Sequence, residues 1–199
     1  MDTPDQKLLQ FVALGREIIH RRPNTAYGSD SSRVAPSPPP VQLPQPGFVG
    51  HRYSGVVIVN QNPGWGEKRF CEGRITVESI AHWGNVLERW AKEGTVDAYE
   101  AAYRLWVEDA GEWRVWNRWI KPLLLPSGLG REDVAYLNLV FSSTKNNKPP
   151  TKRMYAADFP LVVRQIQVLS PRVFIAGGKT GVGDQIQKPG GLPGVELLT

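Results

Sequence analysis

Three clusters of small polar residues in this 199-residue chain stand where side-chain chemistry could be done. Asn60-Gln61-Asn62 follows the apolar run Gly55-Val56-Val57-Ile58-Val59 and leads into Pro63-Gly64. Asn138 lies within a second apolar run, Asp133 to Val140, which leads into Ser142-Ser143-Thr144-Lys145-Asn146-Asn147. Gly177-Gly178-Lys179 closes a third, Val173-Phe174-Ile175-Ala176. A carboxamide offers a donor and an acceptor together, so it can orient a water or pair with a polar edge. It is too weak a base to deprotonate that water well. Short hydroxyls beside a lysine suit a phosphate group. Each cluster also has a plainer reading, because Asn, Ser and Pro-Gly are ordinary turn and loop chemistry.

The elements that must position these residues follow from periodicity. Four β-branched residues in a row, Val56 to Val59, predict a short strand buried on both faces. In open α/β sheets, ligands bind in the crevice beyond the carboxyl ends of such strands. Between the first and second runs, Thr76 is placed to cap a helix through Val77, Ile80, Trp83, Leu87, Trp90 and Ala91, with Gly94 ending it. A second helix carries Val96, Tyr99, Ala102, Tyr103 and Trp106. A third runs from Trp113 through Trp116, Trp119 and Ile120 and is expected to stop at Pro122. That spacing assigns six of the seven tryptophans to helix packing. A helix over 152–169 contains Pro160, so it either kinks there or begins near Asp158. A short helix is expected between Gly177 and Ile186, and residues 195–198 could start a last strand. Strands alternating with helices predict an α/β domain with a mostly parallel sheet.

Upstream, Leu8, Leu9, Phe11, Val12, Leu14, Ile18 and Ile19 make a helical stripe. Arg16, His20, Arg21 and Arg22 gather near its end, where cations suit the helix dipole. Whether this helix packs on the core or stands apart is open at this level. The expected organisation is an N-terminal helix over 1–22, a Pro- and Ser-rich irregular connector over 23–48, and an α/β domain over 49–199.

Composition narrows the class. The length suits one domain with a real core. Hydrophobic residues make up 41% and charged residues 22%, as in soluble globular proteins. No run has the length of a membrane span. The N-terminus has no signal-peptide succession, so an intracellular protein is expected: cytoplasmic in a bacterial or viral setting, nuclear in a eukaryotic one. Cys71 is the single cysteine, which excludes an internal disulfide and cannot by itself hold zinc or an iron–sulfur cluster. The net charge of +5 points mildly to a polyanionic partner. No P-loop, Gly-x-Ser-x-Gly elbow or dinucleotide fingerprint is present.

In order and spacing, Asn60-Gln61-Asn62-Pro63-Gly64, Leu137-Asn138-Leu139-Val140 and Pro171-Arg172-Val173-Phe174-Ile175-Ala176-Gly177-Gly178 resemble the uracil-DNA glycosylase superfamily. That family has an apolar strand ending in Gly-x-(Asp/Asn/Ala)-Pro-(Gly/Tyr). A later strand ends in Asn, and another apolar strand ends in Gly. The resemblance covers roughly residues 54–182 and is closer to the branch with Asn in the first motif. It implies a three-layer α/β/α fold around a central, mostly parallel four-stranded sheet. It also implies hydrolysis of the N-glycosidic bond of uracil or another damaged base flipped from single- or double-stranded DNA. Asn62, with Gln61 beside it, would then hold the attacking water. Asn138 would read the base, with Phe70 or Trp65 stacking on it. Ser142, Ser143, Thr144 and Lys145 would grip phosphates. No metal or cofactor is expected, no membrane partner, and a monomeric state.

The resemblance has departures. Asn60 stands where the family usually has glycine. The family also carries a His-Pro-Ser-type segment near its C-terminal side, which stabilises the departing base, and these 199 residues contain none. His20, His51 and His82 lie far upstream and match nothing. The chain is therefore expected to be either a fragment or a divergent member lacking that group. A catalytically weak or silent homologue that binds modified DNA is the rival expectation.

Overall fold

The computed structural model describes residues 4–21, 23–34, 43–63, 76–110, 113, 115–145, 148–177 and 182–187. Among the described residues four strands form one sheet: β1 (Phe48–Val49), β2 (Val56–Asn60), β3 (Val134–Asn138) and β4 (Val173–Ala176), in the order β1-β3-β2-β4. The β-branched run behaves as its composition demands. Val57, Ile58 and Val59 are fully buried, so both faces of central β2 are covered. β2 pairs in parallel with β3 and with β4. Helices α3 (Val77–Glu93) and α4 (Val96–Ala110) fall in the connection from β2 to β3, and α6 (Lys152–Leu169) joins β3 to β4.

The class is α/β, but the expectation of a mostly parallel sheet is corrected: the sheet is mixed, because β1 runs antiparallel along β3. Two residues carry no period, so β1 had no signature of its own. Its outer edge is closed by Tyr99 of α4. The Tyr99 hydroxyl accepts from the Val49 N–H at 2.9 Å and donates to the Val49 carbonyl at 2.7 Å. Both edge groups are thereby removed from the surface.

Helix α1 (Pro4–His20) packs on the core, with Phe11 and Ile18 fully buried, and touches α3, α4 and α6. The end of α3 is built around it. Thr76 caps the start of α3 by accepting from the Ser79 N–H, and Gly94 ends it in the left-handed region at φ 64°. Arg16 then donates to the Ala91 carbonyl at 2.8 Å, and the His20 ring lies 3.0 Å from the same oxygen. Trp90 of α3 donates to the Val12 carbonyl at 3.1 Å. A Cβ on Gly15 would stand 2.0 Å from the Trp90 ring, so only glycine admits this crossing. Gly15→Ala is expected to cost about 1–3 kcal/mol by overpacking, read from urea unfolding midpoints. An unchanged midpoint would show that α1 and α3 can part without loss.

Three local expectations are corrected. The connector is not irregular throughout: α2 (Pro23–Tyr27) and a 3₁₀ turn over Gly28–Arg33 occupy its first part, and Val34 bridges Thr144. Pro122 does not stop its helix. A π-helical turn, Trp116–Ile120, passes into α5 (Lys121–Leu124), so Pro122 sits at the start of a new segment, where its missing N–H is tolerated. Trp119 is not a packing residue. Trp116, Ile120 and Leu124 take the buried side, which leaves Trp119 67% exposed. In α6, Thr151 caps the start and Pro160 is carried within one helix. Pro160 and Ala156, whose carbonyl it leaves without a helical donor, are both on the exposed side. A four-residue helix, α7 (Asp184–Gln187), follows β4. The possible strand over 195–198 lies outside the described residues.

Candidate functional site

Register brings the polar clusters together at the carboxyl edge of the three parallel strands. Asn60, the last residue of β2, pairs with Asn138, the last residue of β3. On its other side, Val59 pairs with Ala176, which sets Gly177 beside Asn60, and the Gly177 N–H donates to the Val59 carbonyl at 2.7 Å. The ladder continues past the strands: Leu139 N–H to Asn60 carbonyl at 2.8 Å, Val140 N–H to Gln61 carbonyl at 2.9 Å. Asn60 and Gln61 are therefore held by sheet-like bonds although they end a strand, and Asn62 follows directly on them. Pro63 further restricts Asn62 to extended backbone.

Both amide hydrogens of Asn62 are directed at the chain. Nδ2 lies 3.3 Å from Thr144 Oγ1 and 3.3 Å from the Pro63 carbonyl. Thr144 in turn donates to the Lys148 carbonyl, closing the loop after β3. Such an arrangement turns the Asn62 carbonyl oxygen away from these partners, as the acceptor end of a planar amide. Gln61 approaches the Tyr155 hydroxyl, but that hydroxyl completes no well-formed hydrogen bond.

Asn138 is 5% exposed. Its Oδ1 is buried and has no hydrogen-bond partner among the described residues, and the same holds for Asn60 Nδ2 and Ser143 Oγ. Ser142, Ser143 and Thr144, expected at phosphates, are all buried. Their hydroxyls face inward, whereas Lys145 is exposed. Trp65 and Phe70, the expected stacking residues, lie outside the described residues. Among the described residues no cluster of three or more His, Cys, Asp or Glu side chains could hold a metal ion.

The residue that sequence reasoning missed is Asp158, 1% exposed on α6. Its Oδ2 accepts from the Tyr27 hydroxyl at 2.6 Å and from the Phe141 N–H at 2.8 Å. Its Oδ1 takes Arg21 at 2.8 Å, and Arg21 also donates to the Ala157 carbonyl at 2.9 Å. Tyr27 lies 3.2 Å from Ser142 Oγ, and the Gln45 N–H takes the Phe141 carbonyl at 2.7 Å. One carboxylate thus fastens the loop after Asn138 to α2, to the end of α1 and to α6. Burial pushes the Asp158 carboxyl above its ordinary value, against the pull of the Tyr27 hydroxyl, the Phe141 N–H and Arg21. Burial, with the Asp158 charge next, holds the Tyr27 hydroxyl far above the usual tyrosine range. A signal did exist. Met154, Asp158, Leu161 and Gln165 share one helical stripe, and a carboxylate there is out of place unless paired.

No protein-family model matches the chain. One stretch of 60 residues is 38% identical to part of the type-4 uracil-DNA glycosylase of Thermotoga maritima. That match covers 30% of this chain and 31% of the relative, so the chain spans under a third of the length of the curated protein it matches. It makes a relationship to the uracil-DNA glycosylase superfamily possible, without establishing membership.

Proposed function

We propose that this chain is a uracil-DNA glycosylase-like hydrolase with a three-layer α/β/α arrangement, cleaving the N-glycosidic bond of uracil or another damaged base flipped out of DNA. The observation that carries it is the row of strand-end amides: Asn138 beside Asn60, both held by the sheet, with Asn62 two residues further on and tied to Thr144. The partial likeness to a uracil-DNA glycosylase supports the same reading.

The chemistry requires three things of such a site. A water oxygen must reach the sugar C1′ as the C–N bond breaks. Positive charge on the sugar must be tolerated, and the base must leave as an anion that then takes a proton. Asn62, its amide hydrogens spent on Thr144 and Pro63, presents its carbonyl oxygen to accept a hydrogen from that water. Asn138 reads the extruded base through its carboxamide. Lys145 is the exposed cation of the loop and contacts a phosphate. Ser142, Ser143 and Thr144 shape that loop from inside.

The test is stoichiometric incubation with uracil-containing single- and double-stranded oligonucleotides, followed by hot alkali. Cleavage at the uracil position supports the proposal. Selective binding without abasic sites would replace it with a binding function.

Asn138→Ala is expected to remove base selectivity while leaving the fold in place. Base-edge contacts of this kind carry about 1–3 kcal/mol of discrimination. Competition binding between modified and normal single-stranded DNA measures it. If wild type and variant bind both strands equally, Asn138 reads nothing.

A further inference from the structure

We infer that Asn60 is a second base-reading amide, which works with Asn138 on a cis-amide edge of the extruded base: a carbonyl beside a ring N–H. This deepens the glycosylase reading above and rests on it for the identity of the ligand as a base.

The inference begins with register. Asn60 and Asn138 are paired across adjacent parallel strands, so their side chains leave the same face of the sheet at neighbouring positions. Among the described residues, Asn60 Nδ2 is a buried donor without a partner, and Asn138 Oδ1 is a buried acceptor without one. The two do not satisfy each other. Leaving such groups unmet costs stability, and folded proteins as a rule supply each with a partner. Here, among the described residues, one donor and one acceptor are left open side by side, at the strand ends where α/β sheets bind ligands.

The other neighbour fixes the orientation of Asn60. A Cβ on Gly177 would stand 2.1 Å from Asn60 Oδ1, so the carbonyl end of this amide lies against the bare backbone of Gly177. A carboxamide is planar with its oxygen and nitrogen on opposite sides, which directs Nδ2 away from Gly177 and toward the Asn138 side. The ligand that completes the pair must then offer an acceptor to Asn60 and a donor to Asn138. A lactam or imide edge does so, as in uracil. Methylation of the ring nitrogen between the two carbonyls keeps both acceptors and removes the donor, so it leaves nothing for Asn138 Oδ1.

The experiment uses the full chain labelled with ¹⁵N and follows the side-chain amide signals, with those of Asn60 identified by their loss in Asn60→Ala. 1-Methyluracil, whose N1 is blocked as the sugar blocks it in DNA, is the probe, and 1,3-dimethyluracil, which keeps both carbonyls but has no ring N–H, is the control. 1-Methyluracil is expected to shift the Asn60 signals and 1,3-dimethyluracil to leave them. Asn60→Leu, similar in volume but without polar atoms, is expected to bind 1-methyluracil about 10- to 100-fold more weakly. Asn60→Ala checks that result in a smaller side chain. Asn60 signals that do not move with 1-methyluracil, or that move equally with 1,3-dimethyluracil, overturn the inference. The readout is independent of excision. Shifts at Asn60 without any abasic-site formation would reject the glycosylase reading and keep the lactam-reading pair. Excision with an unmoved Asn60 would do the reverse.

Discussion

Asn62→Ala is expected to slow single-turnover excision about 100-fold, the scale on which a misplaced reacting group costs rate. DNA binding should change far less. Asn62 lies beyond the end of β2, but the bonds from Leu139 to Asn60 and from Val140 to Gln61 extend the ladder up to it. Its Nδ2 contact with Thr144 ties it to the loop after β3. Alanine removes the acceptor proposed to orient the water and frees that loop at one point. Asn62→Asp keeps an acceptor and adds a negative charge, which favours a cationic sugar and repels nearby phosphates. Aspartate is therefore expected to be tolerated at a moderate loss in DNA affinity. Rapid-quench measurement of the first turnover separates these effects from product release. An alanine variant that excises as fast as the parent would place the water on another residue.

Asp158→Ala is expected to be among the most destabilising single changes in the chain, costing about 3–5 kcal/mol, as when one partner of a buried ion pair is removed. Three donors lose their acceptor at once: the Arg21 guanidinium, the Tyr27 hydroxyl and the Phe141 N–H. Asp158→Asn keeps an acceptor for Phe141 but loses the charge that Arg21 faces, so a smaller loss of about 1–3 kcal/mol is expected. Urea unfolding gives both values. In folded material the Asn variant should also relax the loop after β3, which would appear as faster amide exchange at Phe141 and its neighbours. An alanine variant that loses less than about 1 kcal/mol, the worth of an exposed ion pair, would show that the hub is not holding the loop.

Locally written features were legible from the chain alone. The run Val56–Val59 announced a strand buried on both faces, because four β-branched residues suit no exposed surface. Thr76 and Gly94 marked the ends of α3, since capping chemistry is settled within one helical turn. The alternation of strands and helices indicated the α/β class. The polar residues after each strand were also visible as candidates, because strand ends are defined by the same local pattern.

Contacts between distant parts of the chain were decided only by the tertiary structure. Antiparallel β1 is two residues long and exists because β3 and the Tyr99 hydroxyl bond its two edges. Trp119 shares its spacing with Trp116 and Ile120, yet a π-helical turn sets which side meets the core. The Asp158 hub joins residues 131 and 137 positions apart, a distance over which no sequence period carries information. The facing of Asn60 and Asn138 depends on strand register, and a one-residue slip would send the two amides to opposite faces. Residue types thus determined which groups were available for chemistry, whereas the pairing of strands determined which of them meet.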